Sequence, residues 1–172
     1  ESLAKLGEFY AQSIIDSDIE FDMLFGPAYK GIPLASATSV ALFKQHNRSV
    51  PYACDRIEAK AHGEGGITFG SSLKGKVMII DDVISAGTSV NHSIEIIRAA
   101  AAEPVAVIVA LDRQERGSGE NSAIQEVEQN HGIKVISINN LDDIMVFIES
   151  DSEHNQYLDA VKAYRAEYGI TA

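Results

Sequence analysis

The chain of 172 residues is 45% hydrophobic, which is enough for a single domain over 1–172 with one continuous core. Its 14 basic and 25 acidic residues leave a net charge of -11, which repels polyanions, so nucleic acid is not expected as a partner. The single cysteine, Cys54, excludes an internal disulfide and favours a cytoplasmic setting, and no apolar stretch approaches the ~20 residues of a membrane-spanning helix, so no membrane association is expected.

The first third of the chain predicts helices alternating with short strands. Helical spacing of apolar residues begins at Leu3, and a strand is closed by Gly26-Pro27. The predicted elements are a helix over 3–14, a strand over 21–25, a helix over 32–45 and a strand over 51–54. Segment 55–72 mixes charges with Gly63, Gly65, Gly66 and Gly70 and shows no sustained period, so we expect a mobile loop.

The rest of the chain repeats this alternation. The predicted elements are strands over 76–81, 104–111 and 134–138, and helices over 90–102, 123–130, 141–150 and 153–168. Strands that are apolar on both faces and alternate with helices indicate an α/β fold, an open, mostly parallel sheet flanked by helices. Ligands bind beyond the carboxyl ends of the strands in such sheets.

Two acids and a hydroxyl-rich turn follow one of these strands. Asp81 and Asp82 stand where the strand emerges, and paired acids there can accept hydrogen bonds from vicinal ribose hydroxyls. Immediately beyond, 85–89 supplies hydroxyls, a glycine and the free N–H groups of a helix N-terminus, which suit a phosphate. Alternatively, the two acids have only the structural role of ending a strand, and the hydroxyls of 85–89 only that of capping a helix. Because these acids and backbone N–H groups are close together, the acids can bind the hydroxyls of a ribose 5-phosphate while the N–H groups bind its phosphate.

This segment, 77–89, resembles the diphosphoribosyl-donor motif of type I phosphoribosyltransferases. Segments 25–33, 56–66 and 111–117, in this order and spacing, narrow the resemblance to the orotate phosphoribosyltransferase family across nearly the whole chain. The resemblance implies a type I phosphoribosyltransferase fold and transfer of a 5-phosphoribosyl group from its 1-diphosphate to orotate, giving orotidine 5′-phosphate in pyrimidine biosynthesis.

The resemblance also assigns residues to roles. The implied catalytic residues are Lys60, His62, Asp81 and Asp82. The implied donor-binding residues are Tyr29, Lys30, Arg56, Lys60, His62, Asp81, Asp82, Val83, Ile84, Ser85, Ala86, Gly87, Thr88 and Ser89. Orotate is implied to contact Ser85 and Arg113. Mg2+ is the implied cofactor, bound mainly through the diphosphate with no direct protein ligand.

The basic side chains permit both a functional and a structural interpretation. Lys30 follows a strand end and can bind pyrophosphate oxygens, or it is a solvated lysine at a helix start. Segment 56–62 brings positive charge onto a glycine-flanked loop. Such a loop can be a lid that closes over a polyphosphate, or its charged side chains can simply be solvated. Arg113 follows a strand and can hold a planar carboxylate bidentately, or it pairs with Asp112 or Glu115.

The resemblance further implies a homodimer in which the catalytic loop reaches the partner's site. Two departures from the family pattern are expected to matter. Ile57 stands where the family carries lysine, and the family's N-terminal segment, which supplies a lysine and aromatic residues, is absent from this chain. Three alternatives stay open: a phosphoribosyltransferase for another base, a donor-sensing regulatory protein of the same fold, and an inactive structural relative.

Overall fold

The computed structural model describes residues 1–60, 66–85, 87–119 and 121–170. Its helices are α1 (Ser2–Asp16), α2 (Gly31–His46), α3 (Thr88–Ala99), α4 (Ala123–His131), α5 (Leu141–Ser150) and α6 (Leu158–Tyr168), with a 3-10 turn at Asn155–Tyr157 before α6. Its strands are β1 (Met23–Gly26), β2 (Tyr52–Lys60), β3 (Gly66–Gly70), β4 (Lys76–Val83), β5 (Glu103–Asp112) and β6 (Lys134–Asn140). No helix of the described residues is both long and apolar enough to cross a membrane.

The strands form one sheet in the order β3-β2-β1-β4-β5-β6. Every neighbouring pair is parallel except β2 and β3, which run antiparallel at one edge. Because the carboxyl ends of parallel strands lie at the same side of a sheet, the turns that follow β1, β4 and β5 lie at that side. We call this side the carboxyl edge. The predicted open, mostly parallel sheet with flanking helices is confirmed.

Both faces of the sheet are buried, as the apolar strands predict. In β4, Met78 and Ile80 face a core cluster that includes Tyr10 of α1 and Leu42 of α2. Alternate residues of the same strand, such as Ile79, face a second cluster on the opposite side, built with α3 and α4. Continuous burial of this kind is typical of a central parallel strand.

Capping residues fix where two of the helices begin. Ser122 caps α4 and Asn140 caps α5, and each forms a reciprocal capping box with the residue three positions on, Gln125 and Asp143. Each box satisfies backbone N–H groups that otherwise lack a partner at a helix start. The predicted α5 boundaries, 141–150, agree with the structure, whereas the helix predicted over 153–168 begins only at Leu158.

The prediction of one loop over 55–72 is wrong for its two flanks. Residues 55–60 continue β2 and 66–70 form β3, which pair antiparallel with a register shift between Asp55 and Lys60. Between the pairs Asp55–Thr68 and Lys60–Gly66 the two strands advance by unequal numbers of residues, and such an irregularity breaks the period-two alternation by which a strand is recognised. Residues 61–65, between the two flanks, lie outside the described residues.

Candidate active site

Three loops converge at the carboxyl edge of the sheet. Lys30, in the loop after β1, places its Nζ 2.5 Å from Oδ2 of Asp82 at the end of β4. Arg113, in the loop after β5, is close enough for its positive charge to oppose protonation of Lys30. The structure therefore brings together Lys30, Asp82 and Arg113, which are far apart in the sequence.

Asp81 is the buried member of the acidic pair. Its carboxylate accepts hydrogen bonds from the N–H of Asp82 at 2.9 Å and from Oγ of Ser89 at 3.0 Å. Burial raises the pKa of Asp81 to about 6, although these two hydrogen bonds oppose the rise. The hydroxyl of Tyr10 donates to the main-chain carbonyl of Asp81 at 2.7 Å, so α1 helps to hold the end of β4 in place.

Asp82 is the accessible member of the pair. Its side chain is 32% exposed, and it bonds to Lys30, whose side chain is 73% exposed. The hydrogen bond to Asp82 and the negative charge of Asp82 raise the pKa of Lys30. An exposed ion pair of this kind contributes little stability and separates readily when a more highly charged ligand arrives.

The turn after β4 forms a small pocket at the start of α3. The pocket has a volume of about 240 Å³ and is lined by Val83, Ile84, Ser85, Gly87, Thr88, Ser89 and Val90. Gly87 is the N-cap at φ 70° and offers no side chain to the N–H groups of the first turn. These N–H groups and the positive end of the helix dipole favour an anion such as phosphate.

The residues of this turn are not equivalent. Ser85 and Thr88 are exposed, whereas the side chain of Ile84 is buried in the core and leaves only its main chain for a ligand. Ser89 is already oriented by its hydrogen bond to Asp81. Ala86 lies outside the described residues.

The loop that carries Tyr29 and Lys30 is held by a residue that the sequence did not single out. Asp55 of β2 is 6% exposed, and its Oδ1 accepts a hydrogen bond from the N–H of Ala28. Its Oδ2 lies 4.0 Å from Nε2 of His92 in α3. The sequence feature that could have indicated Asp55 is its position directly after the apolar run 52–54. Tyr29 itself is 71% exposed, at the mouth of the site.

Arg56 lies one residue beyond Asp55 in β2. Its guanidinium carbon is 5.3 Å from the centre of the Phe69 ring in β3, a cation–π contact. Its Nη1 is buried and has no hydrogen-bond partner among the described residues. The side chain of Lys60 and all of His62 lie outside the described residues, so their predicted roles stay predictions.

Arg113 is paired with one of the two partners that the sequence left open. Its Nη2 lies 2.9 Å from Oε2 of Glu115, whereas Asp112 accepts a hydrogen bond from the N–H of Gln114. The Nε of Arg113 is buried without a partner in the described part of the chain. A guanidinium carries five N–H donors, so Arg113 keeps donors for a planar carboxylate while its Nη2 is held by Glu115.

A second depression lies at the opposite edge of the sheet. Its volume is about 560 Å³, and it surrounds Arg48 and Lys76. Arg48 already donates to the carbonyl of Phe21, and Lys76 is paired with Glu20 at 2.9 Å. It lies where β1 and β4 begin, at the opposite end of these strands from the acids, the helix N-terminus and the basic residues described above.

Comparison with known proteins places the chain in one family. Residues 1–140 match the model of the phosphoribosyl transferase domain. The chain is 58% identical over 168 residues to the orotate phosphoribosyltransferase of Thioalkalivibrio sulfidiphilus and 60% identical over 169 residues to that of Chromobacterium violaceum. Each alignment covers 98% of this chain, and 79% and 78% of the two relatives, respectively. The crystal structure of the Francisella tularensis orotate phosphoribosyltransferase superposes with a TM-score of 0.81 at 37% identity, covering 97% of this chain and 80% of that one.

Proposed function

The chain belongs to the orotate phosphoribosyltransferase family, and we propose that its carboxyl-edge site transfers the 5-phosphoribosyl group of 5-phosphoribosyl 1-diphosphate to a ring nitrogen of orotate. The products are orotidine 5′-phosphate and diphosphate. The observation that carries this assignment is the position of Asp81 and Asp82 beside the pocket at the N-terminus of α3, with Lys30 opposite.

The donor fits this arrangement from end to end. Its 5-phosphate is bound by the hydroxyls and N–H groups of the turn 85–89, at the positive end of α3. Its ribose hydroxyls donate to Asp81 and Asp82. Its diphosphate replaces Asp82 as the partner of Lys30, because it carries more negative charge than one carboxylate.

Leaving-group stabilisation is the main catalytic contribution in this proposal. As the bond from C1 to diphosphate breaks, the ribose gains oxocarbenium character and the diphosphate gains charge. Lys30 and Arg56 supply positive charge close to where that anion develops, and the family resemblance adds Lys60 and His62, either of which would donate a proton to it. Tyr29 covers the diphosphate from the exposed side.

Mg2+ is proposed as the cofactor. Of the residues described, none form a cluster of three or more ligating side chains, and Asp82 is a partly exposed carboxylate beside the diphosphate position. The proposal rests on the donor, because Mg2+ commonly binds through substrate phosphates and water with few carboxylates, so no direct protein ligand is proposed. When bound, the ion neutralises part of the diphosphate charge.

Arg113 and Ser85 are proposed to bind orotate. Replacing Arg113 by Ala is expected to raise the KM for orotate at least about tenfold, because a charge-assisted hydrogen bond to a carboxylate contributes roughly 1.5–3 kcal/mol. The KM for the donor should change less than about threefold. Steady-state kinetics with each substrate varied in turn provides the measurement.

The matched control replaces Arg98, an exposed arginine in α3, by Ala. Its kinetics should equal those of the parent chain. An unchanged KM for orotate in the Arg113→Ala variant, or an equal rise of this KM in the Arg98→Ala control, would refute the assignment of Arg113 to the base.

The activity is expected to fall as the pH drops below about 6, where the buried Asp81 becomes protonated. A protonated carboxyl no longer accepts two hydrogen bonds as a charged group, so donor binding weakens. A profile of kcat/KM for the donor between pH 5 and pH 8 would show this, and the Asp81→Asn variant should lack the same inflection. A parent profile that is flat through pH 6 would contradict a role for ionised Asp81.

A homodimer in the cytoplasm is also part of this proposal. The family resemblance supports the dimer, and an apolar groove of about 410 Å³ between α1 and α2 offers a surface for it. Leu3 and Val40 line this groove and are 47% and 52% exposed. The cytoplasmic setting is supported by the donor, since a multiply charged phosphate ester does not cross a membrane unaided.

A further inference from the structure

The last helix reaches the loop that carries Arg113. The hydroxyl of Tyr164 in α6 donates a hydrogen bond to Oε1 of Glu115, which lies 49 positions earlier in the chain. The other oxygen of the same carboxylate, Oε2, lies 2.9 Å from Nη2 of Arg113. Glu115 therefore links α6 directly to the guanidinium that is proposed to bind the base.

Main-chain hydrogen bonds hold α6 in this position. The N–H of Arg116 donates to the carbonyl of Tyr168 at 2.9 Å, and the N–H of Ile170 donates to the carbonyl of Gln114 at 3.2 Å. The residues after α6 thus run antiparallel to the loop after β5. A movement of α6 as a whole relative to this loop would have to break this pairing.

A side-chain contact adds a second connection between the loop and α6. Asp142, at the start of α5, accepts a hydrogen bond from Nε2 of Gln114 at 2.9 Å and pairs with Arg165 of α6. The loop after β5 is therefore fixed on both sides of Glu115. This rigidity makes the carboxylate of Glu115 a defined support rather than a mobile counter-ion.

The hydrogen bond from Tyr164 limits how Glu115 can bond to Arg113. Glu115 is 17% exposed and Arg113 is 31% exposed, so their ion pair is shielded from water and its orientation is well defined. If Tyr164 did not occupy Oε1, that oxygen would be free to bond a second guanidinium nitrogen. Glu115 would then compete with the carboxylate of a substrate for the donors of Arg113.

We propose that Tyr164 is a positioning residue for base binding, which holds Glu115 so that Arg113 keeps donors available for the carboxylate of orotate. This rests on the role proposed above for Arg113. Tyr164 itself does not touch the substrate, and its effect passes entirely through Glu115. Pre-organisation of this kind lowers the cost of orienting a binding group when the ligand arrives.

The first test is the Tyr164→Phe variant, which removes only the hydroxyl. Its KM for orotate is expected to rise about fivefold, while kcat and the KM for the donor stay within about twofold, because only base binding depends on Arg113. The matched control is Tyr157→Phe, in the 3-10 turn, whose side chain is 54% exposed. This control should behave as the parent chain.

The second test repeats Tyr164→Phe in the Arg113→Ala background. Two residues that act through one interaction show non-additive effects, so Tyr164→Phe should cause no further rise in the KM for orotate there. An equal rise in both backgrounds would mean a general structural effect and would overturn the proposal. If Arg113→Ala raises this KM but Tyr164→Phe alone does not, the positioning role fails while the proposed function stands. If Arg113→Ala leaves it unchanged, the assignment of the base site fails as well.

Discussion

Replacing Asp81 and Asp82 together by Asn is expected to lower kcat/KM for 5-phosphoribosyl 1-diphosphate at least about 100-fold. In the proposed site each carboxylate accepts a hydrogen bond from a ribose hydroxyl, and a hydrogen bond to a charged group contributes roughly 1.5–3 kcal/mol. Loss of two such bonds corresponds to a factor of about 100 or more. Initial rates at subsaturating donor, with orotate saturating, measure this effect.

This loss should not come from unfolding. The folded pKa of Asp81 is about 6, above its ordinary value of 3.8, so the folded state binds more protons than the unfolded state between these pH values. The carboxylate of Asp81 therefore destabilises the folded state increasingly as the pH rises through this window. At pH 7 the free energy of unfolding of the single variant Asp81→Asn is expected to be roughly 1–2 kcal/mol higher than that of the parent chain.

A control variant separates the loss of these two carboxylates from a general change in charge. Glu153 and Asp159 are both exposed and are not among the residues assigned to the site, and replacing them by Gln and Asn removes the same net charge. This control should keep the parent kcat/KM within about twofold. Similar kinetics in the two double variants would show that the acidic pair does not bind the ribose.

Replacing Gly26 by Ala is expected to reduce the free energy of unfolding by about 3 kcal/mol or more. A Cβ at this position would lie 2.2 Å from the carbonyl oxygen of Gly31 and 2.6 Å from its carbonyl carbon. Both are main-chain atoms at the start of α2, so no side-chain rotation relieves the contact. The loop that carries Lys30 would have to move, and the KM for the donor should rise as well.

Urea unfolding followed by circular dichroism measures this loss of stability. Gly119→Ala provides the control, because the nearest atom to its new Cβ would be Oε1 of Glu126 at an ordinary contact distance of 3.6 Å. That change should cost less than about 0.5 kcal/mol. A Gly26→Ala protein as stable as the Gly119→Ala protein would show that the close approach of β1 to α2 is not needed.

The parts of this fold that the sequence predicts best depend on local patterns. The run 76–82 is apolar on both faces and ends in two acids, so the strand, its burial and its place beside a ligand all follow from neighbouring residues. The turn 85–89 and the start of α3 follow in the same way, since Gly87 and the hydroxyls stand next to one another.

The parts that the sequence does not predict depend on contacts between distant residues. The hydrogen bond from the N–H of Ala28 to Asp55 and the bond from Tyr164 to Glu115 join segments that no periodicity connects. The hairpin of β2 and β3 was missed because an irregular register conceals its alternation. The pairing of Arg113 with Glu115 was one of two open alternatives, and only the structure decides between them.

The most direct test of the central claim is an assay of the purified chain with Mg2+, 5-phosphoribosyl 1-diphosphate and orotate. Loss of orotate absorbance follows the reaction, and parallel reactions contain uracil or hypoxanthine in place of orotate. We predict conversion of orotate to orotidine 5′-phosphate and no conversion of the other two bases. Absence of conversion with every base, by a chain that is folded and binds the donor, would contradict the claim.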